Sequence, residues 1–288
     1  MNSIAMNSIS MKSFTELLTR AQEKAARKMP VLAIAQANDH HVEEAVREAE
    51  ALGLVRGLRI VRENPEAAAA DAVAAIRSGE AQLLMKGLLQ TATIMKAVLN
   101  RETGLRTGRA LSHACAFEIP DWEKLVFVTD VALNVAPDAA RKADIIRNQV
   151  IMAQALGVAR PKVAALAAVE TVNPDMPATL DARLLQEMAE RGELGDCDVQ
   201  GPLALDLAVS AESGRTKGVT GPVVGDADIL LVPDIEAGNM LYKGLVYFAK
   251  ARPAGIIMGA RCPIVLLSRA DSADAKLMSI ALAVLSAE

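Results

Sequence analysis

Aromatic side chains are scarce: the 288 residues include one Trp, two Tyr and four Phe, 2% of the chain, against 52% hydrophobic residues. The core therefore has to be built from Ala, Val, Ile, Leu and Met, a composition that suits helices packed on a buried parallel sheet. Cysteine is equally sparse. Cys115, Cys197 and Cys262 stand far apart with no C-x-x-C pair, which excludes a disulfide framework or a zinc site of ordinary spacing. The three histidines, His40, His41 and His113, also lack metal-ligand spacing, so no metal is expected. No long basic run occurs and the net charge is -4, which argues against nucleic acid or an anionic membrane as partner. An anionic substrate has to be met by local Arg and Lys. No apolar stretch approaches the roughly 18 residues of a membrane span. Residues 1–12 begin with a near repeat, MNSIA then MNSIS, without the charged and apolar regions of a signal peptide. They are expected to form a disordered tail, with a natural start at Met6 or Met11, on a cytoplasmic protein. A G-x-G-x-x-G after a strand, a G-x-x-x-x-G-K-[ST] loop, a G-x-S-x-G elbow and a solenoid-length repeat are all missing. Their absence removes support for a standard dinucleotide site, a Walker loop, a hydrolase triad and a repeat fold.

What is there is an alternation. Ser13 and Glu16 make a capping box for a helix over 13–28, and 31–35 is an apolar strand. A helix over 42–52, a short strand over 58–61 and an Ala-rich helix over 65–78 follow, the last opened by Pro65. Then come a strand over 83–85, a helix over 91–99, and strands over 109–117 and 124–129. Pro137-Asp138 opens a helix to about 156, and 161–169 is a buried strand. Thr179 caps a helix to 191, 203–212 is a helical run, and 214–225 is a Gly-rich loop. A strand over 229–232, a helix over 236–250, a strand over 263–267 and a helix from Asp274 complete the chain. Such alternation predicts an α/β protein with a doubly wound sheet, and the length suffices for one large or two modest domains.

Two strand ends invite an anion. Ser268-Arg269-Ala270-Asp271 lies between the last strand and the last helix, where free N–H groups and the positive end of the helix dipole face a ligand. Ser268 and Asp271 also match a helix-capping pattern. Lys86-Gly87 stands at another strand end, with a glycine that admits close backbone approach. Arg215 and Lys217 make the Gly-rich loop the most basic of the second half. Asp226, Asp228 and Asp234 flank a strand and are read as caps and loop anchors, and Asn134 and Asn239 as local anchors or cleft hydrogen-bonders.

Longer motifs point further. They are Val172-Asn173-Pro174-x-Met176-x-x-Thr179, Gly201-Pro-Leu-Ala-Leu-Asp206, Gly225-Asp226-Ala227-Asp228, Pro233-Asp234-Ile235-Glu236-Ala237-Gly238-Asn239, Lys243, and Pro263-Ile264-Val265-Leu266-x-Ser268-Arg269. In this order they resemble the phosphate acetyltransferase and phosphate butyryltransferase family, from about residue 13 to the end. The resemblance implies a two-domain fold like that of isocitrate and isopropylmalate dehydrogenases, with the active site in a cleft between the domains. Residues 13–133 and 261–288 would form the first domain, and 134–260 the second, which makes a homodimer. The implied reaction converts a short-chain acyl-CoA and inorganic phosphate to acyl phosphate and CoA. CoA is substrate and product, and neither a metal nor a bound cofactor is implied.

Within that reaction Arg269 would grip phosphate in a two-pronged way, Ser268 would donate to the thioester oxygen, and Asp271 or Asp274 would serve as proton partner of the CoA sulfur, unless the thiolate leaves without a protein base. The catalytic Asp position of acetyl-type relatives falls at Ala275 here, one residue after Asp274. Lys86, Gly87, Arg215, Lys217 and Asn239 would bind phosphate or CoA. Acetyl-type relatives carry Leu-Ser-Tyr-Ser-Thr where this chain has Glu170-Thr171-Val172-Asn173-Pro174, which favours the butyryl-type branch. The competing readings are a metal-dependent decarboxylating dehydrogenase and a non-catalytic binding module.

Overall fold

The computed structural model describes residues 11–266 and 272–287. In chain order these form α1 (Phe14–Arg27), β1 (Val31–Ala35), α2 (His40–Ala51), β2 (Arg56–Ile60), α3 (Pro65–Ser78), β3 (Leu83–Lys86) and α4 (Thr91–Val98). Next come β4 (Ser112–Glu118), β5 (Val126–Thr129), α5 (Ala139–Ala155), β6 (Lys162–Leu166), α6 (Pro177–Glu190), β7 (Asp198–Leu203), α7 (Leu205–Val209) and α8 (Ala211–Lys217). The chain ends with β8 (Ile229–Leu231), α9 (Ile235–Tyr247), β9 (Arg252–Met258), β10 (Ile264–Val265) and α10 (Ala273–Ser286).

Local chemistry sets many of these ends. The Ser13 hydroxyl accepts from the Glu16 amide at 3.2 Å, while the Glu16 carboxylate reaches back to the Lys12 amide at 3.0 Å. Asn64 caps α3 ahead of Pro65, and Gly79 closes it in the left-handed conformation at φ 80°. The first-turn cap of α10 is Ser272, which accepts from the Ala275 amide at 3.1 Å. All of β1, Val-Leu-Ala-Ile-Ala, is buried, as an apolar run covered on both faces requires.

The strands form a single sheet in the order β2-β1-β3-β10-β9-β4-β5-β8-β6-β7. Pairing is parallel from β2 to β10 and again from β5 to β7. Between these blocks β9 pairs antiparallel with β10 and β4, and β4 antiparallel with β5. The two parallel blocks therefore run in opposite directions. One sheet face carries α1, α2, α5, α6 and α10 over a core that runs without a break from Phe14 and Leu32 to Val163 and Val199. Every residue of α10 from Ala275 to Ser286 is buried. That explains why this helix is apolar all round rather than striped.

Two expectations are corrected. The α/β class stands, but the isocitrate/isopropylmalate dehydrogenase-like fold does not. Nor is the sheet parallel throughout: helices cover both faces, but antiparallel β9 and β4 stitch opposed blocks into one mixed sheet. β9 and β7 went unread because Pro253, Gly255, Gly201 and Pro202 interrupt them, and pairing to neighbours distant in sequence overrides that local bias. The supposed helical run over 203–212 is the end of β7 followed by α7, and the basic part of the Gly-rich loop is α8.

Candidate active site

On the other sheet face the helices fall into two groups. α3 and α4 cover β1 and β3, and α7 and α9 cover β5, β6 and β8. Between the groups lies a cavity of about 670 Å³, floored by β4 and β9. His113 pairs with Ile257, Cys115 with Gly255 and Phe117 with Pro253, so these six side-chain positions share one face. His113, Pro253, Gly255 and Ile257 line the floor. Asn239, Tyr242 and Lys243 of α9 form one wall, and Lys86 and Thr91 the other.

The loop after β5 adds Val131, Ala132 and Leu133. Its shape is held by Asp130, a buried carboxylate that accepts from the Ala132 and Leu133 amides at 3.0 Å and from Asn134 Nδ2 at 2.5 Å. Asn134 also donates to the Leu111 carbonyl at 2.8 Å, which makes it a backbone anchor. Gly238 lets α9 approach this loop, since a Cβ there would stand 2.6 Å from the Asp130 carbonyl oxygen. It is the one buried residue of α9.

The sequence candidates distribute unevenly. Ser268, Arg269 and Asp271 lie outside the described residues. Leu266 and Ser272, which bracket residues 267–271, both line the cavity, as do Ala275 and Ser279 of α10. β10 pairs with β3, Ile264 with Leu84 and Val265 with Met85, so these chain ends and Lys86 reach the same sheet edge. Lys86 Nζ donates to the Gly87 and Leu89 carbonyls at 3.2 Å each, which folds the strand end over its own loop. Asn239 faces the cavity. Asp274 is held by Arg252 through two hydrogen bonds, Nε to Oδ2 at 2.9 Å and Nη2 to Oδ1 at 2.6 Å, and Arg252 also pairs with Glu118. The Asp274 carboxylate is the main cause that raises the Arg252 guanidinium above its ordinary value. Arg215 and Lys217 sit exposed on α8 and do not line the cavity, and Lys217 pairs with Asp206 at 3.0 Å.

Gly87 has a steric reason to be glycine. Its amide donates to the Ala35 carbonyl at 2.8 Å, and a Cβ would meet the Gln36 carbonyl oxygen at 2.1 Å. Gly87→Ala is expected to cost about 1–3 kcal/mol of stability by forcing β3 and the β1 end apart. Because Lys86 adjoins the displaced backbone, activity should fall with it. Thermal unfolding and turnover of the purified variant check this, and an unshifted Tm with full turnover would contradict it.

Asp226, Asp228 and Asp234 have local structural partners. Lys124 pairs with Asp226 at 2.8 Å and Asp228 at 2.7 Å, and Asp234 caps α9 through the Ala237 amide at 2.9 Å. Cys115, Cys197 and Cys262 are buried, and burial pushes the Cys197 and Cys262 thiols up to about 11 and about 12. Among the described residues His40, His41 and Glu44 are the only group of His, Cys, Asp and Glu with donor atoms within 4.8 Å of one another, exposed at the start of α2 and outside the cavity. Sequence reading passed over His113 and Tyr242. The one signal was the alternation in β4 of His113, Cys115 and Phe117 with Ala114 and Ala116, which marks two different faces.

A family model described as phosphate acetyl/butaryl transferase matches residues 55–284. A phosphate butyryltransferase of Clostridium acetobutylicum is 44% identical over 297 residues, which covers 95% of this chain and 98% of that protein. A phosphate acetyltransferase of Thermotoga maritima is 42% identical, with 92% and 98% covered. The crystal structure of a branched-chain phosphotransacylase from Enterococcus faecalis superposes with a TM-score of 0.80 at 35% identity, covering 90% of this chain and 99% of that one. The shared architecture is thus that of phosphotransacylases, which replaces the dehydrogenase-like expectation.

Proposed function

The chain belongs to the phosphate acetyl/butaryl transferase family and is a phosphate acyltransferase, and from that premise we propose how its cleft works. A short acyl group, butyryl or acetyl, passes between the sulfur of CoA and inorganic phosphate by direct attack of phosphate on the thioester. CoA is substrate and product, and no bound cofactor takes part. The observation that carries this reading is the cavity itself. It joins a cationic strand end, Lys86, to apolar lining from Leu133, Ile257 and Leu266 and to both ends of the segment that holds Ser268 and Arg269. Phosphate needs cations and donors, the acyl chain needs apolar cover, and the thioester oxygen needs a donor as it gains charge.

In this scheme Arg269 grips the attacking phosphate and Ser268 donates to the thioester oxygen. Lys86, Gly87 and Asn239 bind substrate within the cleft, and Arg215 and Lys217 meet CoA phosphates outside it. Asp271 and Asp274 are carried over as candidate proton partners, although Arg252 binds both Asp274 oxygens and Asp274 does not line the cavity. Thiol release from butyryl-CoA, measured with and without phosphate, tests the reading. Release that depends on phosphate and survives a chelator supports it. Activity lost to the chelator and restored by magnesium or manganese would turn it toward a metal-dependent enzyme.

We further propose that 13–133 with 261–288 and 134–260 act as two domains and that the second forms a homodimer. α9 supports this, since Met240 and Tyr247 on the helix and Phe248 just after it are 68%, 66% and 90% exposed, and the one buried residue of the helix is Gly238. Large apolar side chains clustered in this way mark a contact surface. Light scattering should give a dimer, and Phe248→Glu combined with Met240→Lys should give a monomer at the same concentration. A wild-type monomer at every concentration would end the claim. Among the described residues no helix is long and apolar enough to cross a membrane, and a cytoplasmic location is proposed with it.

A further inference from the structure

We propose that His113, on the floor of the cleft, exchanges a proton with the sulfur of CoA. The proposal rests on the acyl-transfer reading above. His113 is half-buried in the middle of the sheet and lines the cavity. Its main chain is fixed on both sides, by pairing with Ile257 and by the Thr129 hydroxyl, which donates to its carbonyl at 3.0 Å. The ring rests on the fully buried Cys115, whose sulfur is 3.4 Å from Nδ1 and 3.7 Å from Nε2. Gly255 makes room for it: a Cβ there would stand 2.7 Å from Nε2 and 3.1 Å from the Cys115 sulfur. A ring so seated is held in one place beside the open cavity, which a proton-transfer group requires.

Among the described residues, the groups that face this space are the following. Cys115 lies beneath the ring, Lys86 comes from β3, and α9 brings Tyr242, Lys243 and Tyr247. From α10 the cavity receives Ser272, Ala275 and Ser279, and from β9 Pro253, Gly255 and Ile257, none of them ionisable. Imidazole is the side-chain type that both takes and gives a proton near neutrality. Asp274 is already committed to Arg252 through both of its oxygens.

The step balances. In the direction of acyl-CoA synthesis the thiol proton moves to an imidazole nitrogen, and the sulfur pair attacks the acyl carbon. The carbon–oxygen bond to phosphate then breaks, phosphate leaves with that pair, and the imidazolium releases its proton to water. In the direction of acyl phosphate synthesis a phosphate oxygen attacks the carbon. The carbon–sulfur bond breaks, and the sulfur takes the imidazolium proton as it leaves.

The size of the effect follows from the thiol. With a pKa of about 8.5, roughly 3% of free thiol is ionised at pH 7, so losing the base costs at most about 30-fold there and nothing well above pH 9. The test uses His113→Gln and His113→Ala with butyryl phosphate and CoA as substrates. Both variants should run about 10- to 30-fold slower than wild type at pH 7 and within twofold of it at pH 9.5. Added imidazole should restore His113→Ala at pH 7. Full activity of either variant at pH 7, or an equal deficit at both pH values without imidazole rescue, overturns the assignment. In those cases phosphate-dependent thiol release by the wild type is untouched, so the acyl-transfer reading survives. Absence of that release in the wild type would instead remove the reading on which the assignment stands.

Discussion

Arg269→Ala is expected to lower kcat/KM for phosphate by roughly ten- to a hundredfold, since a charge-assisted contact contributes about 1.5–3 kcal/mol and each 1.4 kcal/mol is a factor of ten. Arg269→Lys should fall in the same direction. Lysine keeps the charge but presents a point donor where phosphate offers two parallel oxygens, so the exchange is not conservative. The loss should appear when phosphate is varied and be small when butyryl-CoA is varied at saturating phosphate. Ser268→Ala should differ in kind. Its donor is needed as the oxyanion forms, so turnover should drop while the apparent affinity for phosphate stays close to wild type. Steady-state kinetics with each substrate varied separately decides the matter. Wild-type rates in both Arg269 variants would remove Arg269 from the mechanism, and the cleft would then have to hold phosphate through Lys86 and α9.

Asp181→Ala should produce the largest loss of stability. Lys142, on α5, keeps 6% of its side chain exposed and is bound to Asp181, on α6, at 2.6 Å, while the Asp181 side chain retains 27% exposure. Removing the acid leaves the lysine charge buried without that partner, a situation that costs about 3–5 kcal/mol. The lower end applies here because the Asp181 side is partly solvated. At roughly 2–4 °C per kcal/mol, the Tm should fall by about 6–12 °C. The pair lies under α6 and beside Pro233, outside the cleft, so turnover of the folded fraction should stay near wild type. Replacing both partners, as in Lys142→Met with Asp181→Leu, should recover most of the stability, because burial of an ion pair and of an apolar pair of similar volume are often close in free energy. A double variant as unstable as the single one would show that α5 and α6 need the charges themselves.

Much of this protein was legible from its residues because the signals are local. Apolar runs marked β1, β3 and β8, and apolar spacing marked α1 and α10. Ser13 and Asp138 are caps whose bonds span three residues, and Pro65 stands in the first turn of α3, so sequence proximity alone identifies these helix starts. Motifs spread from 172 to 269 carried the family, since a conjunction of them in order has few explanations. The likeness to isocitrate and isopropylmalate dehydrogenases was the overreach, drawn from family resemblance rather than from strand pairing.

What only the tertiary structure decided is the joining of two opposed parallel blocks through β4 and β9. That choice depends on hydrogen bonds between strands more than a hundred positions apart, such as Cys115 with Gly255. No periodicity within either strand reports such a partner. The cleft follows from the same long-range pairing, because it opens where the two groups of helices leave those strands bare. His113 is the clearest case. In sequence it is a lone histidine in an apolar strand, and only the sheet order places it at the floor of the cavity.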